Sequence, residues 1–284
     1  MLIETEETNQ FTFEPFAAHA FYTEVNQSLV RQALATFKTR PADKLLTIVD
    51  MACGTGAVTR LIAEELKSQG LQARIIGVDP SAEALRLAHK GMEEIGASAE
   101  FIQGDTEDLA RLVHGADAAF FCNAIHLVPD KRAAFEQMAG LLAPNGIFAC
   151  NSAFYDGAYV EGTERFYRLW TRRAIGWLRK EHPETHVSRE SKTMAMQWIN
   201  RGEYIQLMQE GGFKRVDAVQ EEVLMTVESY HDIGQYWLFI EGALPGIPLA
   251  LGAAALGTTV YQVGEELHLT TIPRNWLQLV AYKS

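Results

Sequence analysis

The residues best suited to chemistry in this chain lie where a short apolar run ends in a carboxylate and continues into a glycine-rich turn. Ile48 and Val49 lead into Asp50, and Gly54 and Gly56 follow within six residues. Glycine lets the backbone turn sharply and approach a ligand closely. Apolar residues at helical spacing come next. This order predicts a strand, a ligand-binding loop and a helix, the unit that cradles nucleotide cofactors.

The glycine pattern and the neighbouring charge indicate which cofactor the loop holds. Counted from Gly54, the third position of a GxGxxG pattern is Thr59, which does not fit; counted from Ala52, the pattern reaches Ala57 and is degraded. The Asp50 carboxylate would repel a pyrophosphate, whereas it would attract a ligand that carries an ammonium and a sulfonium. The charge therefore favours S-adenosylmethionine, and a nicotinamide dinucleotide stays as the alternative.

Two further carboxylates follow the next two predicted strands. Asp79 ends the second apolar run and lies 22 residues beyond Ala57, close to the roughly 20-residue interval expected for a ribose-binding acid. Pro80 then opens the next helix. A third strand, residues 100–102, leads to Asp105, which is placed to accept a hydrogen bond from an exocyclic amine such as that of adenine.

Five segments of the chain together resemble a known family. They are Asp50-x-Ala52-x-Gly54-x-Gly56, Gly77-Val78-Asp79, Gly104-Asp105-x-x-Asp108-Leu109, Phe121-Cys122-Asn123-Ala124-Ile125-His126 and Leu142-Ala143-Pro144-Asn145-Gly146. On these motifs the chain resembles class I S-adenosylmethionine-dependent methyltransferases, from about residue 47 to residue 151 and again near the C-terminus. The resemblance implies nine cofactor-binding residues, which are Asp50, Ala52, Gly54, Gly56, Asp79, Pro80, Asp105, Thr106 and Asn123. The family's first loop glycine is Ala52 here, a change that we expect to be sterically mild.

Strands and helices must alternate to position these residues. The pattern, with the resemblance, predicts an α/β fold: a Rossmann-like seven-stranded, mostly parallel sheet with helices on both faces, plus helical cap insertions. We expect an N-terminal helical flap over residues 1–40 and a cofactor-binding core over residues 41–152. A helical cap insertion should follow over residues 153–200. Residues 201–284 should complete the sheet and carry an apolar insertion at about residues 224–267.

The two insertions are the places where an acceptor could be recognised. Arg165, Arg168, Arg172 and Arg179 recur at helical spacing, so they form either a basic stripe that holds a carboxylate or phosphate, or a solvated face paired with nearby glutamates. Candidate acceptor contacts are Tyr22, Tyr155, Arg168 and Arg172. The apolar insertion is interpreted as buried packing or a dimer face, a wall of the acceptor pocket, or a membrane span; prolines and flanking glutamates oppose the span.

Methyl transfer from a sulfonium needs alignment and dehydration more than acid or base. An oxygen acceptor also needs a proton removed, and a histidine is the natural base. His126 follows the fourth predicted strand, so it is the candidate base, against a structural role in the loop. Lower-ranked alternatives are His19, Tyr22, Tyr155, His182 and His186.

Composition narrows the classes of function. A net charge of −11 over 284 residues, without a dense basic block, argues against a nucleic-acid partner. No signal pattern begins the sequence, and the three widely spaced cysteines fit a reducing cytoplasm. No magnesium, zinc or other metal site is predicted. The prediction is therefore a cytoplasmic methyltransferase acting on a small, partly apolar metabolite, with oxygen the favoured acceptor atom. The alternatives are an NAD-dependent oxidoreductase and a non-catalytic S-adenosylmethionine-binding subunit.

Overall fold

The computed structural model describes residues 10–38, 45–104, 113–188 and 198–284. The described residues divide into two compact units. The unit called here the sheet unit comprises Thr23–Tyr155, Ile199–Glu221 and Trp276–Ser284. The unit called the helical unit comprises the residues up to Tyr22, Asp156–Trp198 and Glu222–Asn275.

A seven-stranded sheet forms the centre of the sheet unit. Its strands are β1 Leu46–Met51, β2 Ala73–Asp79, β3 Glu100–Gln103, β4 Ala116–Cys122, β5 Leu142–Ser152, β6 Phe213–Thr226 and β7 Thr271–Lys283. Their spatial order is β3-β2-β1-β4-β5-β7-β6. The pairings from β3 through β5 are parallel, and β7 runs antiparallel to β5. The predicted seven-stranded, mostly parallel sheet is confirmed.

The central strands are mostly apolar and are buried along almost their whole length, because both of their faces are covered. Every residue of β4 is buried, and β1 is buried at all positions except Thr47. Parallel strands with helices on the faces show this continuous apolar pattern in place of alternation. Their carboxyl ends therefore lie at one edge of the sheet, which is where the sequence places the acidic and glycine-rich segments.

Five helices complete the sheet unit within the described ranges, and polar caps fix where several of them begin. They are α2 Ala20–Leu34, whose first residues belong to the helical unit, α3 Ala57–Ser68, α4 Ala82–Glu94, α5 Lys131–Leu141 and α7 Arg201–Glu210. Ser81 caps α4 by accepting from the Ala84 amide, and Asp130 caps α5 by accepting from the Ala133 amide. Such caps satisfy backbone donors that the first helical turn leaves without partners.

The helical unit is built around two long helices. Its helices are α1 Glu14–Ala17, α6 Glu164–Glu181, α8 Val227–Ile233, α9 Trp237–Ala243 and α10 Leu249–Leu267. α10 packs against α6, and the buried indole of Trp170 donates a hydrogen bond to the Leu256 carbonyl at 2.9 Å. Packing inside this unit thus accounts for the apolar composition of α10. None of the helices in the described ranges is long and apolar enough to cross a bilayer.

Aromatic side chains hold the N-terminal segment within the helical unit. Phe13 lies 5.1 Å from Phe16 and 5.5 Å from Tyr22 between ring centroids, and the rings of Phe16 and Tyr22 are buried. The His19 ring nitrogen Nε2 lies 2.8 Å from the Asp232 carboxylate. Phe16 and Tyr22 are therefore core residues of this unit.

Candidate functional site

The glycine-rich turn after β1 is built from residues in the left-handed backbone region. Ala52, Gly54 and Gly56 have φ values of 50°, 53° and 81°. The Gly56 amide donates to the Cys53 carbonyl at 2.9 Å, and α3 begins at the next residue. A side-chain carbon placed on Gly54 would meet no atom within 4 Å. The loop therefore borders open space at Gly54, as a ligand cradle requires.

Ala52 adopts a conformation that favours glycine. L-residues with a β-carbon pay roughly 1 to 2 kcal/mol for the left-handed region. An alanine in place of the family's glycine therefore costs conformational energy, because this position requires a left-handed backbone. Strained non-glycine residues of this kind concentrate at ligand-binding turns.

The carboxylate of Asp79 is held by two backbone amides at the end of β2. Its Oδ2 atom accepts from the Gly54 amide at 2.8 Å, and its Oδ1 atom accepts from the Ser81 amide at 3.0 Å. Pro80 lies between Asp79 and Ser81 in the chain, and its carbonyl accepts a hydrogen bond from the Gln103 side chain at 3.0 Å. Asp79 is 8% exposed. The carboxylate is thereby fixed in orientation beside the glycine-rich turn, with oxygens that can accept further hydrogen bonds.

Asp50 is buried at the end of β1 and is bonded to the first turn of α3. Its Oδ2 atom accepts from the Thr59 hydroxyl at 2.6 Å, and the residue is 1% exposed. Burial raises the pKa of Asp50 to about 7; the hydrogen bond from Thr59 acts in the opposite direction, and repulsion from the Asp79 carboxylate raises the pKa further. Near neutral pH this carboxyl can exchange a proton, and a nearby cation would favour its ionised form.

Asn123 lies in a buried network of amides after β4. Its φ is 57°. Its side-chain nitrogen donates to Asn26 Oδ1 at 3.0 Å, and its side-chain oxygen accepts from the Trp276 indole at 3.1 Å. Asn151 also donates to Asn26, at 2.9 Å. This network fixes the backbone of the loop that leads to His126.

His126 lies on a short 3-10 turn, Ile125–Leu127, just after that loop. It is 7% exposed, its Nδ1 atom lies 3.1 Å from Ser152 Oγ, and its ring lies 4.6 Å from that of Phe154. The ammonium of Lys131 donates to the Val128 carbonyl at 2.9 Å, and burial lowers the pKa of this lysine. The contact with Ser152 fixes the orientation of the imidazole ring through Nδ1.

The four candidate acceptor contacts lie in different surroundings. Tyr22 is 6% exposed within the aromatic cluster of the helical unit. Tyr155, in the sheet unit, is 1% exposed and donates to Gln220 Oε1 at 2.8 Å. Arg168 and Arg172 are exposed on α6, where they line a groove of the helical unit.

Two of the predicted cofactor contacts, Asp105 and Thr106, lie outside the described residues. Among the remaining candidates, the structure directly connects Asp79 with the Gly54 backbone. Sequence patterns did not point to Asn26, Asn151 or Ser152, because each forms a hydrogen bond with a residue far away in the chain.

The fold and the acidic, glycine-rich edge of the sheet define a cofactor-binding α/β protein of the Rossmann-like type. Residues 48–146 match the model of a methyltransferase domain. The chain thus carries a class I S-adenosylmethionine-dependent methyltransferase domain, as the sequence predicts.

Two curated relatives are similar to this domain. A trans-aconitate 2-methyltransferase from Azoarcus sp. is 32% identical over 109 residues, which cover 38% of this chain and 40% of the relative. A ubiquinone biosynthesis O-methyltransferase from Azorhizobium caulinodans is 30% identical over 104 residues, which cover 37% of this chain and 39% of the relative. The chain spans about 40% of the length of these relatives.

A solved structure extends the likeness of fold across the chain. Phosphoethanolamine N-methyltransferase 2 from Haemonchus contortus, in complex with S-adenosyl-L-methionine, has a TM-score of 0.55 at 15% identity. The alignment covers 98% of this chain and 57% of that one. At this identity the likeness concerns the fold.

Replacing Ala52 by glycine should stabilise the protein, because glycine adopts a positive φ without the β-carbon penalty. We expect Ala52→Gly to raise the free energy of unfolding by about 1 kcal/mol. Gly54→Ala, at nearly the same φ, should lower it by a similar amount, about 1 kcal/mol. Chemical denaturation of both variants measures the pair. If both variants shift the free energy of unfolding in the same direction, or each shifts it opposite to the expected direction, the loop relaxes out of this conformation.

The raised pKa of Asp50 makes stability depend on pH. An acid with a raised folded-state pKa contributes stability that is present below its unfolded pKa and is lost as pH rises through the folded value of about 7. Asp50→Asn removes this loss. The free energy of unfolding of the variant, relative to that of the wild type, should therefore rise by roughly 3 kcal/mol between pH 4 and pH 8. Denaturation across this pH range measures the gap, with the exposed Asp156→Asn as control. If the difference in free energy of unfolding between Asp50→Asn and the wild type does not change with pH, the raised pKa of Asp50 is contradicted.

Proposed function

We propose that this protein transfers the methyl group of S-adenosylmethionine to an oxygen atom of a small molecule. The observation that carries the proposal is the pair of backbone amides that hold the Asp79 carboxylate beside the open space at Gly54. A carboxylate fixed in this way can accept hydrogen bonds from two ribose hydroxyls. The names of the two relatives, a trans-aconitate 2-methyltransferase and a ubiquinone biosynthesis O-methyltransferase, support a small-molecule acceptor.

The proposed cofactor contacts follow from the chain's own geometry. Ala52, Gly54 and Gly56 present backbone to the ligand, and Asp79 with Pro80 borders the ribose. Asp50 supplies a carboxyl that favours the cationic methionine end when it is ionised. Asp105, Thr106 and Asn123 are retained as proposed contacts through the family resemblance. When bound, S-adenosylmethionine supplies a methyl group activated by its sulfonium.

His126 is the proposed base for a hydroxyl acceptor. Its contact with Ser152 fixes the ring through Nδ1, and the ring of Phe154, 4.6 Å away between centroids, limits its rotation. The imidazole of His126 would take the proton of the acceptor hydroxyl as that oxygen receives the methyl group. The name of the ubiquinone O-methyltransferase supports oxygen as the acceptor atom. Lys131 keeps the carbonyls of this turn in place.

The cellular setting proposed for the protein is the cytoplasm. Cys53, Cys122 and Cys150 are buried free thiols, and burial raises the pKa of each. Such cysteines suit a reducing compartment. The charge of −11 supports a metabolite acceptor over a nucleic acid, since phosphate binding requires a basic face. A homodimer stays a prediction, and a measurement of molar mass in solution would test it.

Binding of S-adenosylhomocysteine tests the cofactor assignment. Calorimetry should detect its binding to the wild type and no binding of NADH. Asp79→Asn should weaken S-adenosylhomocysteine binding by about tenfold or more, because one ribose hydroxyl loses a charged acceptor. Binding of NADH without S-adenosylhomocysteine would overturn the proposal in favour of an oxidoreductase.

Substitution of His126 tests the proposed base. With methyl-labelled S-adenosylmethionine and the small-molecule fraction of a host extract, His126→Gln should lower the rate of labelling by at least about 100-fold. Affinity for S-adenosylhomocysteine should be unchanged, and the exposed His89→Gln should label at the wild-type rate. Full activity of His126→Gln would show that His126 is not the base. The absence of labelling in the wild type would favour a non-catalytic cofactor-binding subunit.

A further inference from the structure

A groove with a volume of about 800 Å³ runs along α6 in the helical unit. Its charged lining residues are Glu164, Arg168, Arg172 and Arg179, and two tyrosine rings contribute to its wall. Arg168, Arg172 and Arg179 follow one another at spacings of 4 and 7, which places them on one face of the helix. The groove therefore presents three guanidinium groups and one carboxylate.

The three arginines have no ion-pair partner among the residues that the structure describes. On another part of the same helix, Arg173 is paired with Glu266 at 2.6 Å. The Glu164 carboxylate accepts from the Gly162 amide at 3.0 Å. A solvated face paired with neighbouring glutamates does not describe these arginines, so their charge is available to a ligand.

The wall of the groove carries a further positive charge behind two aromatic rings. Tyr159 and Tyr167 lie 4.4 Å apart between ring centroids. The buried guanidinium of Arg274 lies 5.3 Å from the centroid of Tyr159 and 5.4 Å from that of Tyr167. Tyr167 and Tyr230 share a hydrogen bond between their hydroxyls. The rings offer an apolar surface, and the cation stacked behind them reinforces the positive potential.

The spacing of the guanidinium groups selects among anions. From Arg168 to Arg179 the helix rises by roughly 16 Å, so one inorganic anion cannot engage both ends. Planar guanidinium groups pair with planar carboxylates through two parallel hydrogen bonds. Tyrosine rings suit the short carbon skeleton between such carboxylates. A nucleic acid is disfavoured by the charge of −11 on the chain.

We propose that the α6 groove binds a small molecule that carries two or more carboxylates. Arg168 and Arg172 engage one carboxylate group, and Arg179 engages a second. The inference goes beyond the proposed function, because it assigns to the helical unit a ligand-binding site of its own.

Direct binding tests the groove without relying on turnover. Propane-1,2,3-tricarboxylate is titrated into the full-length protein and followed by calorimetry, with butyrate and pyrophosphate as comparison ligands. We expect the tricarboxylate to bind most tightly, and its affinity to fall by about tenfold in Arg168→Gln and in Arg172→Gln. Arg165→Gln is the matched control, because Arg165 is exposed on the same helix and does not line the groove. It should bind within about twofold of the wild type.

Several results would overturn the groove assignment. These are equal binding of butyrate and tricarboxylate, tighter binding of pyrophosphate, or an equal loss in Arg165→Gln and Arg172→Gln. The affinity for S-adenosylhomocysteine is measured on the same preparations. If it is intact while the arginine variants bind the tricarboxylate normally, only the groove assignment fails. If S-adenosylhomocysteine does not bind while the tricarboxylate does, the proposed methyl transfer fails and the groove stands as an anion site.

Discussion

The hydrogen bond from the Gly54 amide to the Asp79 carboxylate is the contact on which the candidate cofactor site depends. It joins the turn after β1 to the end of β2, at one edge of the sheet. The parallel pairing of the two strands places Asp50 opposite Gly77, so the turn and the carboxylate meet directly. A charged acceptor on a backbone amide makes a stronger bond than a neutral one. The shape of the turn and the orientation of the acid are thus set together.

Two carboxyl groups at neighbouring strand ends give this edge its electrostatic character. Asp79 is held in place by amides, whereas Asp50 is buried against Thr59 and has a pKa near neutrality. Each disfavours the other's charge, and a cation between or beside them would relieve that cost. The groove of the helical unit has the opposite character, since Arg168 and Arg172 supply positive charge. The two units therefore carry candidate sites of opposite charge.

Local patterns predicted the parts of the site that depend on short stretches of chain. The run from Ile48 to the helix after Gly56 follows from apolar periodicity and glycine, both of which act within a few residues. The left-handed conformation of Ala52 could not be predicted, because an alanine gives no sign of a positive φ. The role of Asn26 was also hidden, since its amide partners lie 97 and 125 residues further along the chain.

The same distinction applies to the helical unit. The spacing of the arginines along α6 was visible in the sequence. The stacking of Arg274 against Tyr159 and Tyr167 was not, because it joins a late strand to a helix that precedes it by many residues. Contacts between distant segments are decided by the tertiary fold, which periodicity does not encode.

The division into two units has a consequence for how this polypeptide can be dissected. The backbone passes between the units five times, and α2, β6 and β7 each continue through such a passage as unbroken elements. No single cut can release either unit, and a genetic excision would have to rejoin several ends. The two units are therefore inherited, expressed and lost together, and recombination that exchanges one of them must splice within helices and strands.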